Sequence, residues 1–136
     1  MIDEDKLIAL ALEARKRAYC PYSNFPVGAA LLAADGRVFS GCNVENASYG
    51  LTMCAERVAL FKAISEGARK FSAIAIACGE GACAPCGACR QVLYEFAPDL
   101  LVIMTDGEGK RRKRAKLSEL LPKAFSPTDL GEKESG

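Results

Sequence analysis

The pattern of apolar and polar positions along the chain predicts a mixed α/β domain. From Asp3 to Tyr19, apolar residues recur at helical spacing on one face, which predicts an amphipathic helix that ends before Pro21. Two apolar-rich runs, Val27–Ala34 and Arg37–Cys42, flank Asp35-Gly36, a dipeptide typical of a two-residue hairpin turn. The first third of the sequence is therefore predicted to form a helix followed by a β-hairpin.

The middle of the sequence predicts a parallel strand–helix–strand unit. Thr52 is the predicted N-cap of a helix from Met53 to about Glu66. Phe71–Cys78 and Leu100–Thr105 are nearly continuous apolar runs, as expected for strands covered on both faces. A helix from Pro85 to about Phe96 is predicted between them, and this spacing indicates a right-handed βαβ crossover.

The remaining sequence predicts an edge strand, a short helix and a polar tail. Lys110–Lys116 has six basic residues in seven positions and predicts a solvated edge strand; a nucleic-acid patch is the weaker alternative, because no aromatic residues interleave. Leu117–Leu121 predicts a short helix. The predicted fold is one three-layer α/β/α domain over residues 1–125, with a mixed sheet of about five strands and flanking helices. A polar C-terminal tail follows over residues 126–136.

Composition narrows the chemistry that this domain can perform. The 136 residues include no His and no Trp, which excludes Ser-His-Asp triads, Cys-His nucleophile pairs and histidine-ligated metals. The 18 basic and 17 acidic residues nearly cancel, and no apolar run approaches the roughly 20 residues of a membrane span. No secretory signal is visible, so we expect a cytoplasmic protein that binds neither a membrane nor a nucleic acid polymer.

The cysteines point to a metal site. There are seven, and this odd number makes a disulfide framework a poor explanation. Cys86 and Cys89 lie three positions apart at the predicted start of one helix, and Cys54 lies in the first turn of another. Because helix N-termini gather at the carboxyl ends of strands, we expect all three thiols at one edge of the sheet. Three thiolates around Zn²⁺ leave the fourth tetrahedral position for water, as in a catalytic site.

Two neighbours of these thiols supply further parts of a hydrolytic site. Zn²⁺ with three thiolates is negatively charged overall, which weakens its ability to acidify water. The positive ends of two helices and hydrogen bonds from Arg57 to thiolate sulfur are expected to withdraw that charge. Glu56 lies two positions after Cys54 and is expected to carry protons in the same pocket.

Longer motifs around these residues resemble a known family. Cys54-Ala55-Glu56-Arg57 and Pro85-Cys86-Gly87-Ala88-Cys89 occur together with Tyr19–Ser23, Phe25–Ala30, Gly41–Tyr49 and Leu120-Leu121-Pro122. Over about the first 125 residues, the chain resembles the small homotetrameric cytidine deaminases, which use zinc. The resemblance implies a single zinc deaminase domain that converts cytidine and 2′-deoxycytidine to uridine and 2′-deoxyuridine plus ammonia in pyrimidine salvage. It also implies a homotetramer.

The resemblance further assigns roles to the motif residues. It implies that Cys54, Cys86 and Cys89 are the zinc ligands and that Glu56 is the proton shuttle. Asn43 and Glu45 match positions that hold the ribose 3′-hydroxyl, which an amide and a carboxylate can recognise as donor and acceptor. The rest of the implied pocket consists of Phe25 against the base, the loop residues Asn46, Ala47, Ser48 and Tyr49, the backbone of Ala55 and Ala84, and Phe125 from a neighbouring subunit.

Other interpretations of the cysteines stay open at this point. Cys83 departs from the family pattern, and with its neighbours it matches parts of two iron–sulfur spacings, although each lacks a fourth local cysteine. A thioredoxin-like pair at Cys86 and Cys89 ignores Cys54. A closed structural zinc site would need a fourth protein ligand, which this pattern does not supply, and it would give Glu56 no chemical role.

Two related classes of zinc deaminase are alternatives to a nucleoside deaminase. A blasticidin-type deaminase shares the zinc site but differs in the sugar-binding loop, and the pair Asn43 and Glu45 favours a ribose. A polynucleotide deaminase needs an open cleft, which a wall at Phe125 closes. The remaining cysteines, Cys20, Cys42 and Cys78, are expected to be small buried apolar residues.

Overall fold

The computed structural model describes residues 3–131, which form a five-stranded mixed sheet with helices on both faces. In chain order the elements are α1 (Glu4–Arg15), β1 (Gly28–Ala33), β2 (Val38–Cys42), α2 (Ala55–Ser65), β3 (Phe71–Ala77), α3 (Gly87–Phe96), β4 (Leu101–Thr105), β5 (Arg112–Lys116) and α4 (Leu117–Leu120). Short 3₁₀ helices cover Tyr49–Leu51 and Pro127–Leu130. The predicted three-layer α/β fold is confirmed.

The sheet combines a hairpin with a parallel crossover. Its strand order is β2-β1-β3-β4-β5. β1 pairs antiparallel with β2 and β3, β3 pairs parallel with β4, and β4 pairs antiparallel with β5. The β3–α3–β4 unit is the predicted crossover, and it places the N-terminus of α3 beyond the carboxyl end of β3.

Two apolar layers explain why the strand sequences are almost continuously apolar. Every residue of β1 is buried, because successive side chains point to opposite faces and both faces are covered. On one face, Ile8 of α1 shares an apolar cluster with Leu32 of β1. On the other, Leu60 of α2 shares a cluster with Leu31.

Two glycines let helices lie directly against the sheet. A Cβ atom on Gly41 of β2 would lie 2.6 Å from the backbone nitrogen of Ala59 and 2.7 Å from the carbonyl oxygen of Ala55, both in α2. A Cβ atom on Gly28 of β1 would lie 2.0 Å from the carbonyl oxygen of Ala11 in α1. Because packed backbones leave no room at these distances, the missing side chains set the positions of both helices.

Two boundaries differ from the predictions. α1 ends at Arg15 rather than Tyr19, because Tyr19 joins a β-bridge instead. The N–H of Ala33 donates to the carbonyl of Arg37 at 2.8 Å, and the loop that this pair closes has three residues, 34–36, rather than the predicted two. Gly36, the last loop residue, has φ of +97°, a conformation that glycine adopts without strain.

Charged side chains cover both edges of the sheet. At β5, Arg112 Nη1 lies 3.0 Å from Glu4 Oε2, and Arg114 also pairs with Glu4 at the start of α1. At β2, Lys62 of α2 donates a hydrogen bond to the carbonyl oxygen of Ser40 at 2.6 Å. The basic run is therefore an edge strand, as predicted, and two of its arginines form ion pairs within the domain.

Local hydrogen bonds order the beginning of the predicted tail. The backbone N–H of Ser126 donates to Asp129 Oδ2 at 2.8 Å across the short helix Pro127–Leu130. The predicted tail is thus structured at its beginning, and its residues 132–136 lie outside the described range. The boundary at residue 125 stays a prediction. Between residues 3 and 131, no helix is long and apolar enough to cross a membrane.

Candidate active site

Two of the three candidate ligands occupy the same position in two helices. Cys54 is the N-cap residue of α2, and Cys86 is the N-cap residue of α3. The predicted starts, with Thr52 as N-cap and Pro85 as first helical residue, are therefore too early. The chain is still extended at Met53, which forms a β-bridge. Both sulfurs consequently lie at positive helix ends, which favour the thiolate form.

The three thiols converge on one point. The sulfurs of Cys54, Cys86 and Cys89 all lie within 4.8 Å of one another. Cys54 Sγ and Cys86 Sγ are 3.9 Å apart. Two Zn–S bonds of about 2.3 Å at a tetrahedral angle would set a separation of about 3.8 Å. The donor set and its spacing therefore fit zinc.

The ionisation of Cys54 and that of Cys89 oppose each other. The pKa of Cys54 is lowered to about 5, first because the Cys89 thiol donates a hydrogen bond to its sulfur, and further because Arg57 does so. The pKa of Cys89 is raised, first by that same hydrogen bond and then by burial. A divalent cation bound between these two sulfurs would stabilise both thiolates.

Arg57 contacts the cluster from its own helix. Its Nη2 donates a hydrogen bond to Cys54 Sγ at 3.3 Å. Because Arg57 lies three residues after Cys54, the guanidinium group turns back over the start of α2. Among the described residues its buried Nε has no hydrogen-bond partner. The Nη2 donor withdraws negative charge from the sulfur.

Glu56 is buried beside the thiols. Its side chain is 5% exposed, and this burial raises its pKa above the usual range of a carboxyl group. The negative charge of Cys54 raises that pKa further, while a hydrogen bond from Cys89 opposes the rise. A carboxyl group with a raised pKa suits the acceptance and return of protons near neutral pH.

Asn43 connects the end of β2 to the segment before β1. Its Oδ1 accepts the N–H of Val27 at 2.9 Å, and its Nδ2 donates to the carbonyl oxygen of Phe25 at 2.9 Å. The amide keeps one further N–H and one further lone pair. Asn43 can therefore hold the Phe25 segment and still reach a hydroxyl group.

Glu45 is held by a turn that sequence reasoning did not assign to the site. Its Oε1 accepts the N–H of Tyr22 at 3.0 Å and that of Ser23 at 3.1 Å. Its Oε2 accepts the Ser23 hydroxyl, whose hydrogen bond is the main reason that the pKa of Glu45 is lowered. The available signal for Ser23 was its short hydroxyl side chain two positions before Phe25.

The other predicted pocket residues lie mainly on the surface. Ala55 is buried and is the first residue of α2, where a backbone N–H has no partner within the helix. Phe125 is 58% exposed, and its carbonyl oxygen accepts a hydrogen bond from Gln91 at 2.8 Å. Also exposed are Phe25, Asn46, Ala47, Ser48, Tyr49 and Ala84. The roles of all these residues stay predictions.

The remaining cysteines agree with expectation only in part. Cys78 is fully buried in an apolar cluster, as predicted. It also forms a disulfide with Cys83, with Cα atoms 6.1 Å apart, and the odd cysteine count did not exclude this bridge. Cys20 and Cys42 are free thiols and only half-buried. Cys86 and Cys89 converge with Cys54 rather than with Cys78 or Cys83, so neither iron–sulfur spacing brings its cysteines to one point within residues 3–131.

Comparisons with known proteins agree on one family. The family model of the cytidine and deoxycytidylate deaminase zinc-binding region matches residues 1–105. A cytidine deaminase of Sporosarcina psychrophila is 51% identical over 131 residues, covering 95% of this chain and 96% of the relative. One from Mycobacterium tuberculosis is 46% identical over 130 residues, covering 95% and 94%. A crystal structure of cytidine deaminase from Burkholderia pseudomallei matches with a TM-score of 0.88 and 52% identity, covering 91% of this chain and 100% of that one.

Proposed function

This chain belongs to the cytidine and deoxycytidylate deaminase family, and from that premise we propose that it deaminates cytidine and 2′-deoxycytidine by zinc-dependent hydrolysis. The products are uridine or 2′-deoxyuridine and ammonia, a step of pyrimidine salvage that we assign to the cytoplasm. The observation that carries the proposal is the convergence of Cys54, Cys86 and Cys89 beside the buried carboxyl group of Glu56.

The proposed chemistry divides between the metal and the chain. The three thiolates hold Zn²⁺, which when bound supplies a Lewis acid that makes water more acidic. Arg57 draws negative charge from Cys54. Glu56 accepts a proton from the attacking water and delivers it to N3 of the pyrimidine as the water oxygen bonds to C4. Glu56 then takes the remaining proton from the C4 hydroxyl and transfers it to the amino group. The C4=O bond forms as the C4–N bond breaks, and ammonia departs.

The proposed substrate contacts follow from the hydrogen-bonded segment around Phe25. Asn43 and Glu45 bind the ribose 3′-hydroxyl, since both are buried polar groups and Asn43 keeps a free N–H. Phe25 packs against the pyrimidine, and the Ala55 backbone N–H meets its polar edge. The exposed loop residues Asn46, Ala47 and Tyr49 form a wall of the same pocket.

The exposed apolar residues support an assembly. Phe125, Leu51 and Phe61 are 58%, 70% and 45% exposed, which is large for such side chains. We include in the proposal a homotetramer in which Phe125 of one subunit closes the pocket of another. A pocket closed in this way admits a nucleoside and excludes a polynucleotide.

The proposal is tested with Glu56→Gln. The purified wild-type protein should hold about one zinc ion per chain and should consume cytidine, followed by ultraviolet absorbance. Glu56→Gln should keep its zinc but lose about 10²-fold or more in kcat, because the amide cannot transfer the proton. Glu66→Gln, at an exposed carboxylate at the end of α2, is the matched control and should act like the wild type. Near-normal kcat in Glu56→Gln, or iron in place of zinc, would contradict the proposal.

A further inference from the structure

We propose that Ser23 is a positioning residue that fixes the sugar-binding and base-binding side chains of the site as one unit. The inference rests on the proposed function, because it names what orients the residues assigned there to the nucleoside. The Ser23 hydroxyl donates to Glu45 Oε2 and accepts the N–H of Phe25 at 3.1 Å. A single hydroxyl group thus connects the carboxylate to the aromatic residue.

On the carboxylate side, the turn at Ser23 determines how Glu45 points. Oε1 accepts two backbone N–H groups, from Tyr22 and Ser23, while Oε2 accepts the hydroxyl. The turn therefore occupies both oxygens of a carboxylate that is itself 5% exposed. The remaining lone pairs of the Glu45 oxygens therefore have a fixed direction, and a sugar hydroxyl that donates to Glu45 must approach along it.

On the aromatic side, packing does not hold Phe25. Its side chain is 49% exposed and belongs to neither apolar cluster of the domain. Hydrogen bonds to its backbone hold it instead: the N–H donates to Ser23 and the carbonyl accepts from Asn43 Nδ2 at 2.9 Å. Without the Ser23 hydroxyl, one of these two anchors is lost.

The expected consequence is a defect in substrate binding rather than in proton transfer. No hydrogen bond joins Ser23 to Glu56 or to the thiol cluster in the described structure. Ser23→Ala should therefore raise KM for cytidine by about tenfold, as expected when hydrogen bonds to a charged positioning group are lost. The kcat should change by less than about twofold, and zinc content should not change.

The experiment measures steady-state kinetics of the zinc-loaded full chain on 2′-deoxycytidine and on 2′,3′-dideoxycytidine, which differ only in the 3′-hydroxyl. Ser23→Ala should raise KM more on 2′-deoxycytidine than on the dideoxy substrate, because only 2′-deoxycytidine has the hydroxyl group that Glu45 binds. Ser23→Thr keeps the hydroxyl and should restore the wild-type KM. Ser65→Ala is the matched control, since the Ser65 hydroxyl only bonds the carbonyl of Lys62 at 2.7 Å near the end of α2.

Each outcome decides the inference. An unchanged KM in Ser23→Ala, an equal defect on both substrates, or no recovery in Ser23→Thr would overturn it while the proposed function stands. A wild-type protein with zinc but without activity on cytidine would overturn the proposed function, and the inference with it. If Ser23→Ala does not fold, Ser23→Cys carries the same test, because a thiol is a weak donor and KM should again rise.

Discussion

Gly41→Ala tests whether α2 is positioned by the bare backbone of β2. The added methyl group would lie 2.6 Å from Ala59 N and 2.7 Å from Ala55 O, and neither backbone atom can move without moving the helix. Overpacking of this kind costs about 1–3 kcal/mol. At about 2.1 cal/mol/K per residue, the unfolding entropy of 136 residues is about 0.29 kcal/mol/K, so Tm should fall by about 3–10 °C.

The assay is thermal unfolding of the zinc-loaded protein, followed by circular dichroism. Gly81→Ala is the matched control, because a Cβ there meets nothing within 4 Å, and its Tm should stay within about 1 °C of the wild type. Since α2 carries Glu56 and is capped by Cys54, we expect Gly41→Ala to lower kcat as well. A Gly41→Ala protein with the Tm of the control would refute the reasoning from backbone contact.

Three further outcomes are expected. Cys86→Ser should lose zinc while Cys83→Ser keeps about one ion per chain, and equal metal contents would contradict the ligand assignment. Glu4→Gln should lower the free energy of unfolding by about 0.2–1 kcal/mol at neutral pH, because its hydrogen bond from Arg114 lowers the pKa of Glu4. The stability difference between wild type and Glu4→Gln is present above pH 4.5, the pKa of Glu4 in the unfolded chain, and is lost as the pH falls through the lower pKa of the folded protein. Urea unfolding of both proteins at neutral and at acid pH measures this difference. Equal stability of the two proteins at neutral pH would contradict the expectation. Phe125→Ala should lower kcat/KM without loss of zinc, and light scattering should give about four times the chain mass; a fully active monomer would contradict both expectations.

The elements were predictable from sequence where local pattern decides them. The buried runs of β3 and β4 and the turn at Gly36 follow from apolar periodicity and glycine conformation, which are properties of a few neighbouring residues. The start of α2 was not predictable from local sequence. Met53 pairs with Val44 across a loop, and this tertiary contact overrides the preference of Thr52 for the N-cap position.

In the candidate site, too, some contacts follow from local sequence and others depend on the tertiary structure. The grouping of Cys86 with Cys89 follows from helical spacing, and Cys54 joins them because helix N-termini meet at one edge of the sheet. The contact between Ser23 and Glu45 was not predictable, since it joins loops separated by 22 positions. The bridge from Cys78 to Cys83 depends in the same way on how the folded loop places its two thiols.

The covered edges of the sheet bear on how copies of this protein can aggregate. An open sheet commonly adds a foreign strand along an unpaired edge, and such growth leads to insoluble β-assemblies. A strand arriving at β5 would meet a row of charged side chains, which disfavours the addition of an apolar strand. At β2 it would have to displace Lys62 from the Ser40 carbonyl. The charged edges therefore disfavour uncontrolled growth of an assembly along the sheet.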